Sequence, residues 1–279
     1  MKNLCNSMLC LILVLFLLPS ITQAEPAPLR IGILPTLSPR LLLKNYEYVR
    51  RYLARELRQP MILGTATDFK AFQNQTMADQ YDVIVTAAHL GRLAQREKGW
   101  LPLATYQQAN RALLLVSNNL PIHSVQDLRG KTITSLDPIA LVVIQGRQWL
   151  SDKGLRQIDY HYVNAPGFTS AAHAVVQQEA AMAIISPAGY KQLSEALRNE
   201  THIFQTLPEV PALLWLVNPK SPIDPVRLKA LLLKFNATVP EGRQFFEMTG
   251  YEGLHEVTGE EMQALDSYAD EAKFLLGRK

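Results

Sequence analysis

The side chains of this sequence that could bind a small molecule are hydroxyls, a carboxylate and an imidazole at the ends of predicted strands or the starts of predicted helices. Hydroxyls beside the free N–H groups of a helix N-terminus can hold an oxyanion, and an imidazole can donate or accept a hydrogen bond. In open α/β sheets, ligands bind at the carboxyl ends of the strands. The residues of this kind are Thr36, His89, Asp137, Thr169, Ser170 and Ser186.

The residue type and its place in the sequence also predict a structural role at each of these positions. Thr36, Thr169 and Ser170 lie where hydroxyls cap helices, and a single histidine is more often structural than a ligand contact. The sequence leaves both roles open at every one of these positions.

Catalytic chemistry has no comparable support. The sequence contains no H-E-x-x-H, G-x-S-x-G, P-loop or G-x-G-x-x-G motif, and Cys5 and Cys10 both lie in an N-terminal leader. A mature chain without cysteine excludes thiol catalysis and cysteine-bound metal. We therefore expect a protein that is not an enzyme and holds no metal or other cofactor. The histidines are scattered along the chain: His89, His123, His161, His173, His202 and His255.

The elements that would position the candidate residues alternate between short β-rich runs and helical patterns. Such alternation predicts an α/β fold with mostly parallel sheets covered by helices. The predicted strands are residues 29–35, 61–67, 82–87, 101–105, 112–117, 131–136, 158–163, 181–186 and 212–217. The predicted helices are residues 39–57, 68–78, 88–97, 138–152, 168–178, 187–198, 225–237 and 259–275.

Four of the predicted helices have a marked start. An oxygen-bearing residue followed by proline fits the N-cap and the first helical position, and a Thr with a Glu three residues later fits a capping box. These signals are Ser38-Pro39, Asp137-Pro138, Asp224-Pro225 and Thr258 with Glu261.

We expect the chain to fold as two lobes, residues 25–110 plus 212–279 and residues 111–211. Residues 112–117 lead into the second α/β unit, and residues 203–217 return from it. A cleft between two such lobes would form the ligand pocket, and lobe closure would be its natural motion.

Residues 1–24 are predicted to be a cleavable signal peptide. Lys2 precedes an apolar run at residues 8–18, which is shorter than the roughly 20 residues of a membrane span, and Ala24 offers a cleavage site. We therefore expect a soluble protein in the periplasm. An uncleaved N-terminal anchor is the alternative.

Removing Lys2 lowers the formal net charge from +3 to +2, and no cluster of basic residues is dense enough to predict nucleic-acid binding.

Six short motifs along the mature chain resemble a known family in their order and spacing. They are R-I-G-I-L-P-T at 30–36 with Ser38-Pro39, A-T-D-F at 66–69, Y-D-V-I-V at 81–85, S-V-Q-D-L-R-G-K at 124–131, Asp137-Pro138, and G-Y-E-G-L at 250–254. The family is that of the phosphonate/phosphite/phosphate-type (PhnD-like) solute-binding proteins of ABC transporters. The resemblance implies the α/β type II periplasmic-binding fold, with two lobes, mixed sheets and an interlobe cleft.

The family resemblance also implies a function and partners. It predicts a monomeric exported receptor that traps a small molecule and delivers it to an inner-membrane ABC permease. A ligand-sensing subunit for a membrane histidine kinase or diguanylate cyclase is the alternative. Tyr46 matches an aromatic position that faces the cleft in the family, but its spacing with Leu42, Val49 and Leu53 also places it on the packing face of the first helix, and the sequence favours core packing slightly.

The chain departs from the family pattern at three places where the resemblance implies ligand-binding groups. The family has a Ser/Thr-rich turn after Asp137-Pro138, but residues 139–142 contain no hydroxyl. The family's histidine falls at about Thr169, and its acidic residue falls near Ser186. Since charge-assisted hydrogen bonds hold an anion more strongly than neutral ones, we predict a less polar pocket whose ligand is not a simple phosphonate.

Overall fold

In the computed structural model, which describes residues 27–236 and 238–277, eleven strands form two mixed β-sheets. The predicted signal peptide lies outside the described residues. None of the helices that the structure describes combines the length and the hydrophobicity of a membrane span. The strands are β1 (Leu29–Ile33), β2 (Met61–Gly64), β3 (Val83–Ala87), β4 (Leu101–Tyr106), β5 (Leu113–Ser117), β6 (Thr132–Ser135), β7 (His161–Asn164), β8 (Met182–Ile185), β9 (Thr201–Thr206), β10 (Leu213–Val217) and β11 (Leu254–His255).

Helices cover both sheets. They are α1 (Pro39–Leu57), α2 (Phe69–Met77), α3 (Ala88–Lys98), α4 (Leu141–Asp152), α5 (Phe168–Val176), α6 (Pro187–Gln192), α7 (Glu195–Asn199), α8 (Pro225–Lys234), α9 (Pro240–Thr249), α10 (Gly259–Gln263) and α11 (Asp266–Leu275), with 3₁₀ turns at Val125–Leu128 and Gln157–Asp159.

The first sheet has the strand order β11-β4-β10-β3-β1-β2. β1 pairs in parallel with β2 and β3, whereas β10 runs antiparallel to β3 and β4. This sheet therefore combines strands from the beginning and the end of the described chain. We call it, with its helices α1 to α3 and α8 to α11, lobe 1.

The second sheet has the strand order β7-β6-β8-β5-β9. β6 pairs in parallel with β7 and β8, whereas β5 runs antiparallel to β8 and β9. All of its strands come from the middle of the chain. We call it, with helices α4 to α7, lobe 2.

Two chain segments connect the lobes and lie side by side. Asn110 and Val210 form an antiparallel bridge, and each N–H donates to the other's carbonyl oxygen at 2.8 Å. The buried side chain of Gln145 in α4 contacts both segments. Its Oε1 accepts from the Ala112 N–H at 2.6 Å, and its Nε2 donates to the Pro208 carbonyl at 2.8 Å. α4 thus holds the two connecting segments together.

The last helix, α11, contacts both lobes. Its Asp266 accepts from Arg92 of α3 at 2.7 Å, and the main-chain oxygen of Ser267 accepts from Gln148 Nε2 of α4 at 3.0 Å. α11 therefore joins lobe 1 to the helix of lobe 2 that carries Gln145.

The marked helix starts are realised to different degrees. Asp224 caps α8 by accepting from the Val226 N–H at 3.0 Å, and Thr258 and Glu261 form the predicted capping box of α10. α1 begins at Pro39 as predicted, but the Ser38 side chain makes no capping hydrogen bond.

The predicted start of α4 is wrong. The helix expected at residues 138–152 begins at Leu141, and Ala140 occupies its N-cap position. Asp137 Oδ1 accepts from the Ile139 N–H at 2.9 Å, and the Ala140 N–H donates to the Asp137 carbonyl, which closes a turn over residues 137–140. Because this local turn engages its side chain, Asp137 does not cap α4.

Several other elements differ from the predicted ones. The helix expected at 187–198 is divided into α6 and α7 because Ser194 starts a new helix by accepting from the Leu197 N–H at 3.3 Å. The helix expected at 259–275 is divided into α10 and α11. β9, β11 and α9 are not among the predicted elements.

Candidate functional site

A cavity of about 600 Å³ lies between the two lobes. Its walls come from segments that follow the carboxyl ends of strands in both sheets: residues 34–36 after β1, residues 67–69 after β2, residues 136–137 after β6, and Ser186 after β8. Pockets for small organic molecules usually measure about 300–1,000 Å³, so this cavity has the size of a ligand site.

The lobe 1 wall supplies most of the polar side chains. Asp68 caps α2, because its Oδ1 accepts from the Ala71 N–H at 2.7 Å and its Oδ2 accepts from Thr67 Oγ1 at 3.0 Å. The bond from Ala71, followed by that from Thr67, holds the pKa of Asp68 below its usual value, so this carboxylate is charged at neutral pH. The polar residues that line this side, including the connecting segment, are Thr36, Thr67, Asp68, Gln108 and Asn110.

The lobe 2 wall is mainly apolar. Ala140, Leu141 and Val142 line the cavity at the start of α4, the place where the family resemblance implies hydroxyl groups. Phe168 also lines the cavity, and its ring packs directly on Gly189, where an added Cβ would overlap the ring. This close packing fixes the aromatic ring as part of the wall.

The two polar side chains on the lobe 2 wall already have hydrogen-bond partners. Asp137 accepts from the Ile139 N–H in its turn, and Ser186 Oγ accepts from the Gly189 N–H at 3.0 Å as the N-cap of α6. Lobe 2 therefore offers a ligand an apolar surface, the hydroxyl proton of Ser186 and the unpaired N–H groups expected at the start of α4.

The charges at the cavity are negative. None of its lining residues is Lys, Arg or His, and its charged side chains are the carboxylates of Asp68 and Asp137. Such a lining disfavours binding of an anion and favours a ligand that is neutral or positively charged.

The seven predicted ligand residues divide into two groups. Thr36, Asp137 and Ser186 line the cavity. Thr169 and Ser170 are exposed and lie just past Phe168, outside the lining, and Tyr46 and His89 are buried outside it. Ligand contact stays a prediction at all seven positions.

Tyr46 lies inside lobe 1. Its hydroxyl is 3.1 Å from that of Tyr106, and its ring centroid is 5.3 Å from that of Phe245. Burial raises the pKa of Tyr46, which keeps the phenol neutral. Tyr251, whose ring centroid lies 4.3 Å from that of Tyr106, is the member of this aromatic group that reaches the cavity.

His89 is fully buried beside the cavity wall. Its Nε2 lies 2.9 Å from the main-chain oxygen of Ile139, and its Nδ1 has no hydrogen-bond partner. Burial lowers the pKa of His89 from 6.5 to about 4, against the smaller opposite effect of the Ile139 carbonyl. The imidazole is therefore neutral and donates through Nε2.

Several residues that line the cavity are not among the ligand residues predicted from the sequence. Phe69 carried a usable signal, since it follows Thr67 and Asp68 at the end of a predicted strand, and Phe168 begins a predicted helix. Gln108 and Asn110 lie in a connecting segment, whose placement depends on how the two lobes meet. The described part of the chain contains no group of three or more His, Cys, Asp or Glu that could hold a metal ion.

Comparison with protein families gives one match. The family model described as "ABC transporter, phosphonate, periplasmic substrate-binding protein" matches residues 31–262. No curated protein sequence matches the chain.

Solved structures with the same architecture come from several bacteria. XAC2383 from Xanthomonas citri, bound to chloride ion, has a TM-score of 0.78 and 15% identity and covers 90% of this chain and 100% of its own. PhnD1 from Prochlorococcus marinus, in complex with methylphosphonate, has a TM-score of 0.73 and 12% identity, with coverage of 91% and 100%. The periplasmic aliphatic sulphonate binding protein SsuA from Escherichia coli has a TM-score of 0.59 and 14% identity, with coverage of 91% and 95%. At these identities the likeness concerns the fold.

Proposed function

This chain belongs to the family of phosphonate-type periplasmic substrate-binding proteins of ABC transporters, and we propose that its own ligand is a small, largely apolar molecule that is neutral or positively charged. A periplasmic solute-binding role follows from the family. The observation that carries the ligand class is the cavity lining, which combines an apolar lobe 2 wall with two carboxylates and contains no Lys, Arg or His.

A simple phosphonate fits this cavity poorly. Its negative charge would lie near Asp68 and Asp137, and the turn at residues 139–142 supplies no hydroxyl donor. Each charge-assisted hydrogen bond contributes about 1.5–3 kcal/mol, so the loss of several donors weakens phosphonate binding by orders of magnitude. The backbone N–H groups at the start of α4 can serve a ligand carbonyl as well as an anion.

An amphipathic molecule matches the two walls better. Thr36, Gln108 and Asn110 can orient a polar head group from the lobe 1 side, while Leu141 and Phe168 bury an apolar body. Burial of apolar groups contributes about 0.8 kcal/mol per CH₂, so a short hydrocarbon body supplies much of the affinity.

The domain organisation is part of the same proposal. We divide the mature chain into residues 25–110 plus 212–279 and residues 111–211, with the hinge at the paired connecting segments. The bridge between Asn110 and Val210 supports this division. We expect the monomeric protein, exported by cleavage after Ala24, to close around its ligand without transforming it and to deliver it to an inner-membrane permease. The comparisons give no support to the alternative role as a sensing subunit.

A thermal-shift screen of residues 25–279 tests the ligand class. The sharpest matched pair is methylphosphonate and its neutral dimethyl ester, tested beside amino acids, amines and nucleobase-like compounds of similar size. A ligand at 100 times its dissociation constant stabilises the protein by about 2.7 kcal/mol, which is a clear shift in melting temperature. We expect shifts from neutral or cationic amphipathic compounds; shifts confined to the anions would contradict the proposal.

A further inference from the structure

We infer that His89 is a positioning residue that holds the two lobes together across the cleft and makes cleft closure depend on pH. The inference rests on the proposed closing of two lobes but not on the identity of the ligand. His89 follows β3 of lobe 1, and Ile139 follows β6 of lobe 2. Their 2.9 Å hydrogen bond therefore passes from one lobe to the other.

The surroundings of this hydrogen bond are dry and apolar. Ile139 and Ile144 of lobe 2 pack in one buried cluster with Leu90, Leu93 and Ala269 of lobe 1. The ring of His89 is itself 0% exposed. The cross-lobe bond thus lies within an interlobe contact that excludes water.

The bonded segment is also part of the cavity wall. Asp137 and Ala140, on either side of Ile139 in the turn, both line the cavity. By holding the Ile139 carbonyl, His89 sets the position of this wall without lining the cavity itself.

Protonation opposes this arrangement. The carbonyl oxygen of Ile139 can only accept, so Nε2 carries the proton in the neutral ring and Nδ1 keeps a lone pair. A second proton would place a charge and an N–H donor at Nδ1, which has no hydrogen-bond partner among the described residues. Burying a charged group without a partner is costly, whereas opening of the lobes lets water reach the ring.

Within residues 27–236 and 238–277, no neighbouring charge contributes to the pKa shift of His89 or offsets this cost. Arg92 pairs with Asp266, Arg96 pairs with Asp270 at 2.9 Å, and burial and the Ile139 carbonyl are the causes of the pKa shift of His89. The helices that contribute residues to this buried cluster are α2, α3, α4, α10 and α11, together with the turn at 137–140. The charged residues on these elements, including the N-cap of α2, are Asp68, Lys70, Arg92, Arg96, Glu97, Lys98, Asp137, Arg147, Asp152, Glu260, Glu261, Asp266, Asp270, Glu271 and Lys273.

The direction and size of the pH effect follow from the two states of the ring. The pKa of His89 is about 4 while its ring is buried in the contact between the lobes, and a histidine that becomes hydrated when the lobes separate has a pKa of about 6.5. Closure is therefore fully favoured above pH 6.5 and is weakened as the pH falls toward 4. With these values the closed-to-open ratio decreases about 30-fold between pH 8 and pH 5.

Distance measurements on the ligand-free protein test the inference. The mature chain has no cysteine, so Arg40→Cys in lobe 1 and Lys191→Cys in lobe 2, both at exposed positions, give one pair of spin labels. We expect the long-distance population to increase from pH 8 to pH 5, with a change of about 30-fold in the ratio of the two populations. A distribution that does not change with pH would overturn the inference.

Two variants separate His89 from other histidines. His89→Gln keeps an amide donor that can reach the Ile139 carbonyl but does not titrate, so its distance distribution should not respond to pH. His123→Gln removes an exposed histidine and should respond as the parent protein does. Loss of the response in His123→Gln, or its retention in His89→Gln, would overturn the assignment.

A spectroscopic measurement covers the case in which His89→Gln does not fold. Nitrogen NMR of the parent protein should show His89 protonated at Nε2, with a pKa well below 6.5. A His89 ring that titrates near pH 6.5 while the short label distance persists would contradict the inference. Because no ligand is added, these results do not depend on whether the proposed ligand class is correct. If the cleft does not respond to pH, the ligand screen carried out at pH 8 still tests the ligand class.

Discussion

The two walls of the cleft offer a ligand different atoms. The lobe 1 wall presents hydroxyl and amide groups, such as those of Thr36 and Gln108, whereas the lobe 2 wall presents Leu141, Val142 and Phe168. Both walls follow the carboxyl ends of strands, as the fold requires. The chain therefore has the architecture of its family, but the described lobe 2 residues that line the cavity supply few donors for an anion, among them the Ser186 hydroxyl. We propose that lobe 2 sets the ligand class and lobe 1 orients the ligand.

Removal of the aromatic ring from the lobe 2 wall should have the largest effect. Phe168→Ala should weaken binding of the compound found in the ligand screen by about 30-fold to 150-fold, because truncating a buried aromatic contact costs about 2–3 kcal/mol. Isothermal titration calorimetry measures the change. Phe274→Ala is the matched control, since that ring lies on α11 and is 76% exposed. Equal losses in the two variants would show that Phe168 is not a ligand contact.

Introduction of hydroxyls into the lobe 2 wall should have an effect of intermediate size on affinity, and it should strengthen binding rather than weaken it. The double variant Ala140→Ser, Leu141→Thr should strengthen methylphosphonate binding about tenfold, because a hydrogen bond to a charged group contributes about 1.5 kcal/mol or more. Titration of the double variant against the parent protein measures the gain. Ile158→Thr adds a hydroxyl at an exposed position far from the cavity lining and should give none.

A single hydroxyl on the lobe 1 wall should have the smallest effect. Thr36→Val keeps the shape of the side chain but removes one neutral donor, which contributes about 0.5–1.5 kcal/mol, so affinity should fall about twofold to tenfold. Thr206→Val, at an exposed position of β9 outside the lining, should leave affinity unchanged. A loss in Thr206→Val as large as that in Thr36→Val would show that Thr36 is not a ligand contact.

The sequence predicted the fold class and the packing of its main helix. The two mixed sheets and the solved structures confirm the two-lobed α/β type II periplasmic-binding fold. The spacing of Leu42, Tyr46, Val49 and Leu53 correctly predicts the buried face of α1, because that spacing is a property of the helix alone. α9 has a weaker signal, since Val239 at its N-cap makes no side-chain hydrogen bond. β9 is an edge strand without alternating burial, so its sequence lacks the period of two that marks other strands.

The site was less predictable than the fold for a physical reason. The sequence places His89 at the end of a strand, but its partner carbonyl lies 50 residues away in the other lobe. Asp137 combines a helix-start signal with a local turn, and the turn prevails because its Oδ1 accepts from Ile139, two residues on. Roles that depend on contact between lobes are not encoded in any local pattern.

Calorimetric titration of the mature protein with methylphosphonate and phosphite at pH 8, where the cleft is expected to close, tests the central claim most directly. The cavity lining predicts no binding tighter than the millimolar range for either anion. Binding of either anion with a micromolar or smaller dissociation constant would contradict the proposed ligand class.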